Sequence, residues 1–355
     1  MSGDHMSKIL LEAALGKKTN KIPLWLMRQA GRYLPEYRDI RQKHSTLEMF
    51  KTPSIAAEIT LQPLKRFQLD GAIIYADILL IPDAMGLNLS FVEKEGPRFG
   101  KTIRSSSDLS QILKDFENPL NVVEKLSYVG ETIERVKGSL SPETTLLGFA
   151  GAPFTVASYM IEGGSGTKGD FFETKKLMFR EPETFHRLMM TLTSATIEYL
   201  KMQIHAGAEV IQLFESWSSA LSPQQYREYC YPYSKVIVDE IKKYAPVIKF
   251  FGQGATLTAE TLSINPNVYS VDWRQDLSFA SKLFEDSKIA LQGNLDPLLL
   301  YAPQKLLEQK LEECLKVGSA HPHGYIFNLG HGCTQNTPIE NVDFLVKYVN
   351  NYKIS

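Results

Sequence analysis

Apolar residues fall into two alternating patterns along this chain. Short continuous runs recur eight times, at Ile22–Met27, Gly71–Ala76, Thr145–Ala150, Glu209–Phe214, Val247–Phe251, Val268–Asp272, Lys288–Gln292 and Gly324–Asn328. Between them, apolar residues return every third or fourth position over 54–67, 120–137, 183–206, 223–244, 303–317 and 338–351. The runs predict strands buried on both faces, and the spaced segments predict amphipathic helices that cover them. Eight alternating units predict a parallel α/β architecture closed into a (β/α)8 TIM barrel, a single domain over residues 8–355. An open doubly wound sheet is the alternative. Residues 1–7 read as a disordered N-terminal extension.

In such a barrel chemistry gathers where strands end. The predicted strand ends carry Arg28, Asp77, Gly151-Ala-Pro153, Glu215-Ser216, Gly252-Gln-Gly254, Trp273-Arg274, Gly293-Asn294 and Gly330-His331. No G-x-G-x-x-G follows the first run, and the glycine-rich stretch Gly163–Gly169 lacks the G-K-[ST] ending that cradles phosphates. That stretch reads as a lid or a connection.

Composition narrows the ligand. With 39 basic and 40 acidic residues the chain has almost no net field, which argues against nucleic acid or an acidic membrane as partner. An anionic ligand must therefore be attracted locally. The segment Arg28–Arg41 supplies the means, with arginines at 28, 32, 38 and 41 and no lysine. A guanidinium grips a carboxylate or phosphate with two parallel bonds and stays charged at every physiological pH. Gly31 allows a tight path between Arg28 and Arg32, and Pro35 argues against a helix running through the segment. Arg28 and Arg32 point to an anion site. Arg38 and Arg41 fit a solvated loop paired with Glu36 and Asp39 as well as they fit a ligand.

Asp77 interrupts the apolar stretch Ile73–Ile81, where a carboxylate needs an arginine, backbone donors or a ligand. His331, between Gly330 and Gly332, is a candidate for substrate contact or proton handling. Its spacing to Cys333 also invites a metal reading, but Cys230 and Cys314 fall in helix-like segments and add no ligand. His321 and His323 read as an exposed connection. Tyr159 and Ser216 could each hydrogen-bond a ligand carboxylate or serve in capping and packing. Glu215 suggests a retaining glycosidase, yet the partner acid expected after the seventh strand is absent. The three cysteines, Cys230, Cys314 and Cys333, form no C-x-x-C pair, which fits a reducing cytoplasm. No signal pattern opens the chain, and Ala72–Met85 is too short and too charged to span a bilayer.

Taken together, Met27–Glu36, Leu61–Leu64, Tyr75–Ile78, Gly148–Pro153, Leu213–Ser216, Gln292–Pro297 and Asn328–Gly332 closely resemble the uroporphyrinogen decarboxylase family. The resemblance runs in order from about residue 8 to near the C-terminus, and the arginine segment is its most specific part. It implies a single (β/α)8 domain, a homodimer with facing clefts and a cytoplasmic step of haem biosynthesis. Its reaction turns the four acetate side chains of uroporphyrinogen into methyl groups, giving coproporphyrinogen and carbon dioxide, with neither cofactor nor metal. Carried over by motif, Arg28, Arg32 and Arg41 would bind substrate carboxylates and Asp77 the central pyrrole N–H groups. Tyr159, Ser216 and His331 would complete the cleft. Arg28, acting through water, is the first choice as proton donor and His331 the second. A zinc- or corrinoid-linked methyltransferase of the same superfamily and a silent tetrapyrrole-binding protein are the alternatives.

Overall fold

In the computed structural model of the 355-residue chain, residues 8–354 are described, apart from 94, 115, 117, 165–169 and 253–258. The expected N-terminal extension, most of the glycine-rich stretch after Gly164 and the Gln253-Gly254 part of the rim therefore lie outside the described residues. The strands are β1 (Gly71–Ile73), β2 (Leu89–Val92), β3 (Gly96–Phe99), β4 (Thr145–Gly151), β5 (Val210–Glu215), β6 (Val247–Phe251), β7 (Val268–Ser270), β8 (Ala290–Gln292) and β9 (Tyr325–Ile326). Seven form one parallel sheet in the order β1-β4-β5-β6-β7-β8-β9, each beside its successor along the chain, with helices between. The expected alternation of strand and helix is present.

The first run, Ile22–Met27, forms only a bridge, Leu24 to Phe327. Its backbone nonetheless has partners on both sides. Phe327 N–H donates to Pro23 O at 2.8 Å, and Asp70 N–H donates to Leu24 O at 2.8 Å. Side chains take several of the N–H groups a ladder would use. Leu24 N–H goes to Asp70 Oδ2, Leu26 N–H to Gln29 Oε1 and Met27 N–H to Asn328 Oδ1. A regular strand is thus replaced by side-chain acceptors that satisfy the same buried donors.

Alternate residues of the sheet point inward, as strand geometry requires. Trp25, Leu147, Val210, Ile248, Val268, Ala290 and Ile326 form a buried inner cluster, which Leu10 and Ala13 of the first helix join. Above it lies a polar layer, in which Trp25 Nε1 donates to Gln292 Oε1 at 2.8 Å and Gln292 Nε2 to Ser270 Oγ at 2.9 Å. Outward residues pack against the helices in a larger cluster. None of the described helices is long and apolar enough to cross a membrane.

Three local expectations are corrected. Pro35 does not stop a helix but begins one, Pro35–Arg41, because its missing N–H and fixed φ suit the first helical position. The expected 223–244 helix is two helices, Pro223–Tyr229 and Tyr231–Ile241, meeting at Cys230 just before Pro232. His321 is buried rather than exposed, with Nε2 bonded to Ile289 O at 2.9 Å and Nδ1 to Ser281 Oγ at 3.0 Å. The antiparallel hairpin β2–β3, absent from the eight runs, follows β1 and carries Phe91 against Phe50.

Candidate active site

Six of the seven candidate residues line one cleft of about 400 Å³ at the carboxyl ends of the strands: Arg28, Arg32, Arg41, Asp77, Ser216 and His331. Its remaining wall is largely apolar, with Ile73, Phe149, Phe214 and Phe250 projecting from β1, β4, β5 and β6. Phe149, Phe214 and Phe250 meet edge to face at 5.6 and 5.8 Å, and the His331 ring continues the row at 6.1 Å from Phe250. Guanidinium groups thus face an aromatic floor, a combination suited to a ligand with an apolar body and an anionic edge. A second hollow of similar size, lined by Glu312, Phe344, Tyr348 and Tyr352, lacks this convergence.

Arg28 is held in a left-handed conformation, φ 59°, at the turn closed by Gln29 N–H to Leu26 O. A non-glycine residue pays backbone strain there, which the surrounding turn must hold in place. The gain is direction, since the side chain leaves the buried inner face of the sheet and passes over Gly332. Arg32 precedes the helix that Pro35 begins, and Arg41 is its last residue. Among the described residues, neither Arg28 nor Arg32 has a carboxylate partner within ion-pair distance. Arg41 Nη1 donates to Thr46 Oγ1 at 2.7 Å, and the Tyr37 and Tyr75 hydroxyls pair at 2.8 Å. Arg38 turns away and donates to Arg32 O and Tyr33 O, while Glu36 takes a two-pronged bond from Arg66. Of the four arginines, then, Arg38 is a structural tie and the other three reach the cleft.

Asp77 lies deep in the cleft. Its Oδ1 accepts from Leu79 N–H at 2.8 Å, while Oδ2 takes no hydrogen bond among the described residues. Burial pushes its pKa up to about 6, against the opposing pull of the Leu79 N–H and Arg28. The His331 imidazole moves the other way, down to about 4, because burial and the neighbouring Arg28 disfavour a second proton. His331 is therefore neutral near pH 7. Cys333 is buried beneath Arg28 and its thiol is pushed up to about 12 by that burial.

Tyr159 does not lie on the cleft wall. It stands on the helix Pro153–Glu162, packs on Trp217 at 5.9 Å, and is raised to about 12 by burial and by the charge of Asp77. Glu215 points outward, away from the cleft. It is completely buried among Thr155, Cys230, Ser234 and Lys249, which accounts for it without glycosidase chemistry. Arg274, also expected on the rim, pairs with Asp272 and stacks over Trp273. Sequence reasoning missed Tyr37, Tyr75 and the phenylalanine floor. The alternation of Phe149, Phe214 and Phe250 with outward neighbours in their strands was the available signal.

Among proteins of known family, the family described as Uroporphyrinogen decarboxylase (URO-D) matches residues 6–352. Two relatives named uroporphyrinogen decarboxylase illustrate the match. That of Carboxydothermus hydrogenoformans is 41% identical over 97% of this chain and 96% of its own. That of Schizosaccharomyces pombe is 39% identical over 97% of each. Among solved structures, a methyltransferase from Methanosarcina mazei aligns with a TM-score of 0.79 over 96% of both chains at 18% identity, a likeness of fold alone. The extent of these matches, together with arginines and a sheltered carboxyl meeting in one cleft, makes the chain a member of the uroporphyrinogen decarboxylase family.

Proposed function

We propose that this chain removes carbon dioxide from the four acetate side chains of uroporphyrinogen III, giving coproporphyrinogen III in tetrapyrrole biosynthesis. The observation that carries the reading is the meeting of Asp77 with Arg28, Arg32 and Arg41 across one cleft, with an aromatic floor between. The substrate has eight carboxylates on a macrocycle whose centre presents pyrrole N–H donors. Arginine forks suit the first feature and a carboxylate with a free oxygen suits the second.

In each turn an acetate group, R–CH2–COO⁻, takes up one proton and becomes R–CH3 with release of carbon dioxide. Protonating a ring carbon turns the pyrrole into a cation that accepts the electron pair of the breaking C–C bond. The exocyclic methylene left behind is then protonated to the methyl as the ring carbon gives up its proton, so one proton is consumed overall. Asp77, ionised above about pH 6, stabilises that cation through the ring N–H groups where positive charge develops. An arginine clamped on the departing carboxylate would stabilise the ground state more than the transition state. Arg32 and Arg41 therefore hold carboxylates that stay, and Arg28 delivers the proton through water. A neutral His331 serves as a hydrogen-bonding group rather than as an imidazolium acid. Ser216 completes the carboxylate contacts, and Tyr159, off the cleft wall, supports the Ser216-Trp217 turn by packing on Trp217.

The reading uses no metal and no cofactor. Cys230 is buried against Glu215 and Cys314 against Tyr325, so neither joins His331 and Cys333 as the methyltransferase alternative requires. It also includes a closed single-domain barrel, supported by the hydrogen bonds that Pro23 and Leu24 make on both sides. A homodimer with facing clefts and a cytoplasmic setting complete it, and sedimentation in solution tests the dimer. The deciding experiment incubates the protein anaerobically with uroporphyrinogen III, with and without a chelator, and follows the porphyrins formed. Coproporphyrinogen in both samples is expected. Substrate returned unchanged would leave a binding protein, and loss of turnover with the chelator would bring metal back into the reaction.

A further inference from the structure

The outward-facing, fully buried Glu215 lies directly behind the rim. Its Oε1 accepts from Thr155 Oγ1 at 2.6 Å and from Thr155 N–H at 3.2 Å. Thr155 is the third residue of the helix Pro153–Glu162, so that N–H has no partner within its helix. Thr155 Oγ1 in turn accepts from the backbone N–H of Trp217 at 3.3 Å. The other oxygen, Oε2, accepts from Ser234 Oγ at 3.2 Å and Lys249 Nζ at 3.4 Å. One carboxylate thereby ties the helix bearing Tyr159 to the Ser216-Trp217 turn and anchors both to β6.

A buried ion pair is a poor way to gain stability, because apolar residues of similar volume do as well or better. What it supplies here is position. We propose that Glu215, acting through Thr155, is a positioning residue that fixes Ser216 at the cleft and Trp217 and Tyr159 behind it, with Lys249 anchoring the carboxylate from β6. The inference rests on the decarboxylase reading for its kinetic test and on geometry for its spectroscopic one.

Two paired replacements separate position from stability. Glu215→Gln with Lys249→Met removes both charges but leaves a carbonyl oxygen for Thr155, whereas Glu215→Leu with Lys249→Met removes the acceptor as well. Both keep the site packed and neutral. The Gln/Met protein should retain kcat within about three-fold, and the Leu/Met protein should lose about ten- to a hundred-fold, the scale of a small misplacement of a substrate contact. Thr155→Val, which deletes one hydroxyl, should lose about ten-fold and add little to the Leu/Met loss, since the two act along one path. Thermal unfolding accompanies each measurement. Equal kcat in the Gln/Met and Leu/Met proteins overturns the proposal, and so does wild-type kcat in Thr155→Val, which decides the matter if Leu/Met does not fold.

If the wild-type chain does not convert uroporphyrinogen, the decarboxylase reading fails first and separately. The difference in emission between each protein and its Trp217→Phe counterpart then reports the turn. Trp217 should become more accessible to acrylamide in Leu/Met and in Thr155→Val but not in Gln/Met. An unchanged Trp217 signal in Leu/Met and Thr155→Val overturns the proposal without any reference to turnover.

Discussion

Arg28 lies across Gly332 so closely that a Cβ built on the glycine would stand 2.4 Å from Arg28 Cδ and 2.6 Å from Cγ. Real Cβ atoms do not approach so near, and of the two partners the flexible arginine arm is the one free to move. Gly332→Ala should therefore leave the fold intact, with a stability change under about 1 kcal/mol, and swing the Arg28 fork out of place. A fall in kcat/KM of about ten- to a hundred-fold is expected. Unfolding curves and steady-state rates on the same protein check it, and an unaltered kcat/KM would mean that Arg28 tolerates displacement.

Arg28→Lys tests the fork itself. Lysine keeps the charge but offers a compact, strongly hydrated ammonium on a shorter reach, so both the two-pronged grip and the water-mediated proton path suffer. The expected loss in kcat is about a hundred-fold. The positive φ of 59° is demanded of either residue, so the backbone cost is shared and stability should barely change. Equal turnover in single-turnover assays would show that a point charge is enough.

Asp77→Asn should abolish turnover almost completely while stabilising the protein. The folded pKa, about 6, lies above the ordinary 3.8, so the carboxylate is ionised at a cost whenever pH exceeds about 6. The folded state takes up its proton before the unfolded chain does, and the cost fades as pH falls from about 6 to about 4. The asparagine variant should thus be more stable by about 1–2 kcal/mol at pH 7.5, a figure reduced for the part of Asp77 open to the cleft, and should lose that advantage by about pH 4. Chemical denaturation across that range checks the sign. Retained activity would take Asp77 out of the mechanism.

Much of this site was legible because residue type conflicted with surroundings. Four arginines without a lysine, and an aspartate set in Ile73–Ile81, are costly choices that packing does not require, and three of those arginines and the aspartate meet in the cleft. Where several local rules applied to one residue, reading was less secure. Pro35 can end a helix or begin one, and only the path of the preceding turn decides. The run Ile22–Met27 has the apolar pattern of a strand, but the acceptors that replace its ladder come from Gln29 nearby and from Asp70 and Asn328, distant along the chain. The Tyr37–Tyr75 hydroxyl pair and the burial of His321 against Ile289 are likewise long-range, and no spacing within the sequence announces them.

His331 gives the last and most discriminating expectation, because it opposes Asp77 within the same pH window. Its folded pKa, about 4, lies below the ordinary 6.5, so it is neutral in both states above about pH 7 and costs nothing there. As pH falls from about 6.5 toward 4 the unfolded chain gains a proton that the folded site refuses, and stability is lost. Asp77 is being relieved of its own cost over nearly the same interval. The wild-type protein should therefore show a shallow pH dependence from these two groups, while each single variant exposes the slope of the other. His331→Asn should be about 1 kcal/mol more stable than wild type at pH 5 and equal to it at pH 7.5, a figure again reduced for solvent reaching the cleft. In kinetics, the acid limb of kcat/KM should sit near pH 6, set by Asp77, and should shift little in His331→Asn even where the rate falls. An acid limb that vanishes in His331→Asn would assign the titration to the imidazole and return it to the role of proton donor.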